Sequence, residues 1–376
     1  MDLEIRQMIL FQCDYNEGAH PRIIQRLVET NMEQTVGYGE DAYCESARKL
    51  IFAKCGADED GKLGVQSPDS LADVGTTDGA QGESLAVHFL VGGTQTNTTV
   101  IDAALRSHQG VLCAVSGHIN VHETGAIEAC GHKVLGMPSR DGKISALQVK
   151  EACQAHFAED GPEHMVQPKM VYISNPTELG TIYSKAELKA LRKVCDDYGL
   201  YLFLDGARLG YGLVAPDNDL TMEDIAMLTD VFYIGGTKVG ALFGEAVVIR
   251  NKELNKDFRY FIKQKGGMLA KGRLLGLQFE ELMKDGLYEE ISAHAISLAE
   301  KIRAAFSKKG YPYLVPNRTN QIFVILPDEH LKALKKEFGF AYQQRVDDVH
   351  SAVRFCTSWA TKEENVDKLI ASIEAL

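Results

Sequence analysis

The sequence predicts an α/β fold whose strands run in parallel and end at one sheet edge. Two apolar runs carry that reading. Tyr201-Leu202-Phe203-Leu204 and Val231-Phe232-Tyr233-Ile234 are each four residues long, rich in β-formers and bounded by glycine, as buried strands are. Between them Met222–Leu228 reads as a short helix, so both strands point the same way. The third observation is the turn at the end of each run. The first run ends in Asp205-Gly206-Ala207-Arg208 and the second in Gly235-Gly236-Thr237-Lys238. An acid, an arginine and a lysine therefore reach the carboxyl edge of the sheet, where open α/β folds bind ligands.

Composition sets the frame. At 376 residues the chain has material for two or three domains. Its 45% hydrophobic and 24% charged content is ordinary for a globular protein. A net charge of −12 argues against a nucleic-acid or anionic-membrane partner. Eight cysteines are scattered without a Cys-x-x-Cys pair, which points to free thiols, a reducing cytoplasm and no structural metal. The N-terminus carries two acids in its first four residues and does not read as a signal peptide. No apolar stretch reaches the ~18 residues of a membrane span.

In chain order, residues 1–25 read as a polar arm containing Cys13-Asp14, followed by an amphipathic helix over 22–31. Thr35-Val36-Gly37-Tyr38-Gly39 is a glycine-rich loop before a helix over 43–55. Residues 58–82 are rich in Gly, Asp and Ser and read as a surface excursion. A strand over 85–91 precedes Gly92-Gly93-Thr94-Gln95-Thr96-Asn97 and a helix over 98–107. Small residues at a helix N-terminus leave backbone N–H groups for an anion. Neither a P-loop nor a dinucleotide fingerprint is present. A strand over 110–115 leads to Ser116-Gly117-His118, with His122 on the same helical face at i,i+4. Zinc is the rival reading there, but a third ligand and a His-Glu-x-x-His pattern are missing. Strands over 133–135 and 169–173 come next, the second ending at Ser174-Asn175-Pro176-Thr177. A strand over 245–250, helices over 253–264 and 270–286, and a last α/β segment close the chain, with Arg354 on its late strand.

Lys238 sits on a Gly-Gly turn between Ile234, Val239 and Ala241, where partial desolvation lowers the pKa of an amine and makes it nucleophilic. An acid at one strand end and such a lysine at the next are what pyridoxal 5′-phosphate (PLP) needs: an amine for its aldehyde and a carboxylate for its pyridine nitrogen. A plain surface pair between Asp205 and Arg208, with Lys238 solvated, fits these two turns as well.

The pattern Asp-Gly-Ala-Arg, then a lysine about thirty residues later, resembles the low-specificity threonine aldolases of the β-eliminating lyase group, PLP enzymes of the aspartate-aminotransferase fold (type I). The resemblance spans nearly the whole chain. It implies a seven-stranded, mostly parallel large domain with helices on both faces (26–252), an N-terminal arm (1–25) and a small C-terminal α/β domain (253–376). It implies that Gly93 and Thr94 hold the phosphate, His118 stacks on the ring, Asn175 meets the ring hydroxyl side, and Asp205 pairs with the ring nitrogen. Arg208 would stand near the ring oxygen or the substrate carboxylate, Arg354 would grip that carboxylate, and Cys13-Asp14 would take the place of a substrate-facing Ser-Asp pair. Glu123 would lie close to His118, and Lys265 near a neighbouring subunit's phosphate.

Two departures stand out. The resemblance expects histidine where this chain has Thr177 and Ser358. The activity implied is cleavage of the Cα–Cβ bond of a β-hydroxy-α-amino acid to glycine and an aldehyde, with His118, or a water it holds, as base. Beside it stand β-elimination or transamination on the same scaffold, a catalytically silent PLP-fold binding protein, and a nicotinamide oxidoreductase. A homodimer or homotetramer is implied.

Overall fold

A computed structural model describes residues 8–64 and 84–376. The excursion read over 58–82 therefore lies largely outside the described residues. Its described part holds two short bridges, Ala57 with Leu63 and Lys62 with Ser84.

The central sheet has seven strands: β2 (Ala86–Leu90), β3 (Gln109–Ala114), β4 (Lys133–Met137), β5 (Gln167–Ser174), β6 (Tyr201–Asp205), β7 (Val231–Gly235) and β8 (Glu245–Ile249). Their order is β2-β8-β7-β6-β5-β3-β4. All pairs are parallel except those of β8, which runs antiparallel to both β2 and β7. β8 therefore starts at the edge where the other strands end. β7 and β8 are buried at every position, so they read as continuous apolar runs instead of an alternating pattern.

Side chains alternate across the sheet. Leu202, Leu204, Phe232 and Ile234 join one hydrophobic layer, while Phe203, Val231, Tyr233 and Tyr172 join the other. Asp205 shares the face of Phe203. The helix Gly93–Ala104 covers that face through Val100 and Ile101. Three of the covering helices begin with reciprocal capping boxes, at Ser145/Gln148, Ser184/Glu187 and Thr221/Asp224.

A three-stranded antiparallel sheet forms the small C-terminal layer, from β9 (Gln321–Pro327), β11 (Ala341–Arg345) and β12 (His350–Cys356) in the order β11-β12-β9. β11 is a strand the sequence reading did not contain. Its exposed face, Tyr342 to Arg345, lacks the apolar pattern that reveals a strand. The arm belongs to this layer. β1 (Ile9–Leu10) pairs with β10 (Phe338–Gly339), and Phe11 is buried in the small core.

Helix boundaries differ in two places. The helix expected over 98–107 starts at Gly93, so Gly93, Thr94 and Asn97 lie in its first turns. The helix expected over 253–264 breaks at Asp257, whose φ of 59° is left-handed, giving Lys252–Asn255 and Phe258–Gln264. Beyond residue 252 the chain still serves the large sheet: Arg273–Met283 packs on Ala42–Lys54 and on β2.

Candidate active site

The turns after β6 and β7 cross in contact. A Cβ on Gly206 would lie 1.9 Å from the Tyr233 carbonyl, and one on Gly235 would lie 2.4 Å from the Ala207 carbonyl. Only glycine fits at either crossing, and the Gly235 N–H donates to the Gly206 carbonyl at 2.9 Å. This crossing brings Asp205, Arg208 and Lys238 to one place.

Asp205 is 3% exposed. Its Oδ1 accepts from the Ala207 N–H at 2.9 Å, and its Oδ2 receives the Tyr172 hydroxyl and, at 3.4 Å, Asn97 Nδ2. Tyr233 adds a second phenol beside it. Burial and the Asp205 charge push the Tyr172 hydroxyl far above the ordinary tyrosine range, so it remains a donor. Asn97 also donates to Glu123 Oε1 at 2.7 Å, and His118 Nδ1 donates to the same oxygen at 2.8 Å. His118, Glu123, Asn97, Asp205 and Tyr172 thus form one hydrogen-bonded chain. Burial alone would lower the His118 pKa. The bond to Glu123 and the charges of Glu178 and Asp205 outweigh it, and the net shift is upward. His122 lies beside His118 with ring centroids 5.5 Å apart and planes tilted by 54°.

Among the described residues, no hydrogen bond or ion pair holds the Lys238 amine. Its backbone carbonyl accepts from the buried Tyr211 hydroxyl at 2.6 Å, and the same hydroxyl receives the Trp359 N–H at 3.2 Å. The lysine turn is thereby tied to the small domain. Beneath the turn Glu245 accepts from the Gly236 N–H at 3.1 Å. Burial pushes its carboxyl up to about 8 against the pull of Lys238.

The helix Gly93–Ala104 has no side-chain cap, so its first N–H groups face outward unbonded. A Cβ on Gly92 would meet nothing within 4 Å, and one on Gly93 would approach the Tyr233 hydroxyl at 3.3 Å. Gln95 bonds back to the Val91 N–H at 3.2 Å and forward to the Lys265 carbonyl at 3.0 Å, fixing this end of the helix. Thr96 Oγ1, Asn97 Oδ1 and Glu123 Oε2 are buried without partners. An uncapped helix end, a free amine and a hydrogen-bonded carboxylate within one cradle fit a phosphorylated aldehyde with a basic ring.

Other expected residues fall differently. Arg208 gives Nε and Nη2 to Asp14 at 2.7 and 3.0 Å in a buried fork. Burial would raise the Asp14 carboxyl, but Arg208 and Lys238 prevail and hold it at about 2. Asn320 donates a third bond to Asp14 at 2.9 Å. Cys13 turns to Asn16 Oδ1 at 3.0 Å. Asn175 spends its Oδ1 on the Tyr183 N–H at 3.0 Å. Arg354 donates to Gln321 Oε1 and to the Gln12 carbonyl, both at 2.9 Å, and its buried Nε has no partner. Lys265 is paired with Asp102 at 2.7 Å and lies 3.2 Å from Cys130 Sγ.

The profile of the family described as "Beta-eliminating lyase" matches residues 32–329. The chain belongs to the beta-eliminating lyase family. Within it, a low-specificity L-threonine aldolase of a Pseudomonas species is 31% identical over 296 residues, 77% of this chain and 83% of that protein. The solved structure of Leishmania major threonine aldolase superposes with a TM-score of 0.88 at 41% identity, covering 98% of this chain and 99% of that one. A double mutant of Thermus thermophilus aspartate aminotransferase shares the fold, with a TM-score of 0.67 at 11% identity over 98% of this chain and 91% of that one. The expected type I fold is the observed one. Tyr172, Glu178 and Glu245 were not among the residues singled out in the sequence, whereas Asn97 was, as part of the phosphate-loop pattern that starts at Gly92. For Tyr172 a signal existed, because it stands two residues before a strand end and so on one face with Ser174.

Proposed function

We propose that this beta-eliminating lyase family member is a PLP-dependent lyase that splits the Cα–Cβ bond of a β-hydroxy-α-amino acid into glycine and an aldehyde. The observation that carries the reading is the convergence at one sheet edge of three features: the unbonded Lys238 amine, the Tyr172–Asp205–Asn97–Glu123–His118 chain and an uncapped helix end. The likeness to the Leishmania and Pseudomonas enzymes supports the same reaction.

Bound in this cradle, PLP supplies an aldehyde for the substrate amine and a ring that draws electrons from the bond being broken. Lys238 offers the amine that secures the aldehyde. The N–H groups of Gly93 and Thr94 would hold the phosphate. Asp205, surrounded by hydrogen-bond donors, would keep a proton on the ring nitrogen. His118, fixed in orientation by Glu123, would lie against the ring. Arg354 presents its free Nε to the substrate carboxylate. Arg208 acts at one remove, because its fork is engaged by Asp14. That bond locks the arm to the sheet edge.

The test is steady-state cleavage of L-threonine, L-allo-threonine and L-phenylserine with glycine and aldehyde both quantified. Glycine and aldehyde in equal amounts are expected. No glycine from any of them, with pyruvate from serine or cysteine, would favour β-elimination.

We also infer a homo-oligomer working in the cytoplasm. Val28, Met32 and Val36, 72%, 88% and 66% exposed, leave an apolar strip beside the glycine-rich loop. All eight cysteines are free. Light scattering that returned a monomer mass would remove the oligomer.

A further inference from the structure

The reaction needs a proton acceptor at the substrate's β-hydroxyl, and neither position where the resemblance expects histidine supplies one. Thr177 is 1% exposed, and its hydroxyl is shared with Thr181 Oγ1 at 2.7 Å, next to the Asp141 carbonyl. Ser358 is closed into a turn, with its Oγ 3.3 Å from Thr361 Oγ1 and from the Ala360 N–H. Both are scaffold.

Glu178 is placed otherwise. It stands at the corner of the turn closed by the Gly180 N–H on the Thr177 carbonyl at 2.9 Å, just past the end of β5. It is half-buried, yet among the described residues nothing bonds its carboxylate. It lines a narrow pocket with Ser116, Gly142, Tyr172 and Ser174. Within that pocket the hydroxyls of Ser116 and Ser174 are buried without a partner, and Ser174 is 8% exposed. Buried polar atoms are normally satisfied, so this lining points to a polar ligand. Tyr172 lines the same pocket and bonds Asp205, which ties Glu178 to the site, and the Glu178 charge is felt at His118, Tyr172 and Arg208. The His118 imidazole is already engaged at Nδ1 by Glu123, whereas among the described residues the Glu178 carboxylate is unbonded.

Resting on the retro-aldol reading, we propose that the Glu178 carboxylate is the catalytic group that accepts the β-hydroxyl proton. The O–H bond breaks and its electron pair becomes the second bond of the aldehyde carbonyl. The Cα–Cβ bond breaks and its pair stays with Cα. A proton then added to Cα yields glycine, so atoms and charge balance without an oxidant or reductant.

The experiment uses the PLP-loaded Glu178→Gln enzyme. Its kcat on L-threonine and L-phenylserine should fall by about 10²–10⁴-fold with little change in KM. Exchange of the glycine α-hydrogen with deuterium needs no β-hydroxyl base and should persist. Glu178→Asp should recover part of the rate. A second readout avoids turnover: the His118 imidazole, tracked by NMR in substrate-free protein, should titrate at lower pH in Glu178→Gln. Failure of the wild type to release glycine from either substrate overturns the retro-aldol reading itself. Cleavage by the wild type together with full-rate Glu178→Gln, or an unmoved His118 titration, overturns the role of Glu178 alone.

Discussion

Asp205 lies in a site from which water is nearly excluded, and four neighbours satisfy its carboxylate. The Ala207 N–H, Tyr172, Asn97 and Tyr233 surround the carboxylate with donors. Asp205→Asn keeps the shape and removes the charge that would hold a proton on a ring nitrogen. We expect the variant to retain PLP while kcat falls on the order of 10²-fold, the usual cost of losing one preorganised charge partner. Wild-type turnover in Asp205→Asn would show that the ring partner lies elsewhere. At this scale Lys238, Asp205 and His118 were legible in the sequence, because each stands at or just past the end of a buried strand beside a glycine turn that leaves few alternatives. Glu178 was not. A glutamate in a Pro-Thr-Glu-Leu-Gly loop has no local signature, and only the folded turn brings Thr177 inward and leaves Glu178 facing the pocket.

β8 shows what a single strand reversal does. Running against its neighbours, it begins at the ligand edge and delivers Glu245 beneath the Lys238 turn, with Gly235 and Glu245 directly paired. Strand direction is not written in a five-residue apolar run, so this neighbour of Lys238 could not be foreseen. Its titration has a stability consequence. The folded carboxyl sits at about 8, above its ordinary value of 4.5, so between those values the unfolded chain releases a proton that the native state retains. Stability therefore falls as pH rises through this window. Glu245→Gln cannot ionise and should lose this slope: its Tm relative to wild type should climb from pH 5 to about 8 and then level off. Parallel Tm curves for the two proteins would contradict the buried-acid assignment. The helix Gly93–Ala104 teaches a related lesson. Its Gly-Gly-Thr start reads as loop by propensity, yet the backbone is already helical there, which is what brings Asn97 within 2.7 Å of Glu123.

The whole molecule is closed around the site by its arm. β1 joins the small domain through β10, while Asp14 bonds both Arg208 of the large domain and Asn320 beside β9. Removing one partner of such a buried pair typically costs about 3–5 kcal/mol, so the arm is held by more than its two strand residues. Among the described residues no helix is long and apolar enough to cross a membrane. The layered α/β order was legible because the central strands are short apolar runs, several of them separated by helices with clear capping signals. The arm's docking was not, since it depends on contacts more than 190 residues apart in sequence, such as Arg208 with Asp14. The proposed chemistry stands or falls on this closed site holding PLP through Lys238. The decisive measurement is borohydride reduction of the PLP-loaded protein, then digestion and mass mapping. A pyridoxyl group is expected on the peptide containing Lys238 and none in Lys238→Ala; a label on any other lysine, or no label at all, would contradict the assignment.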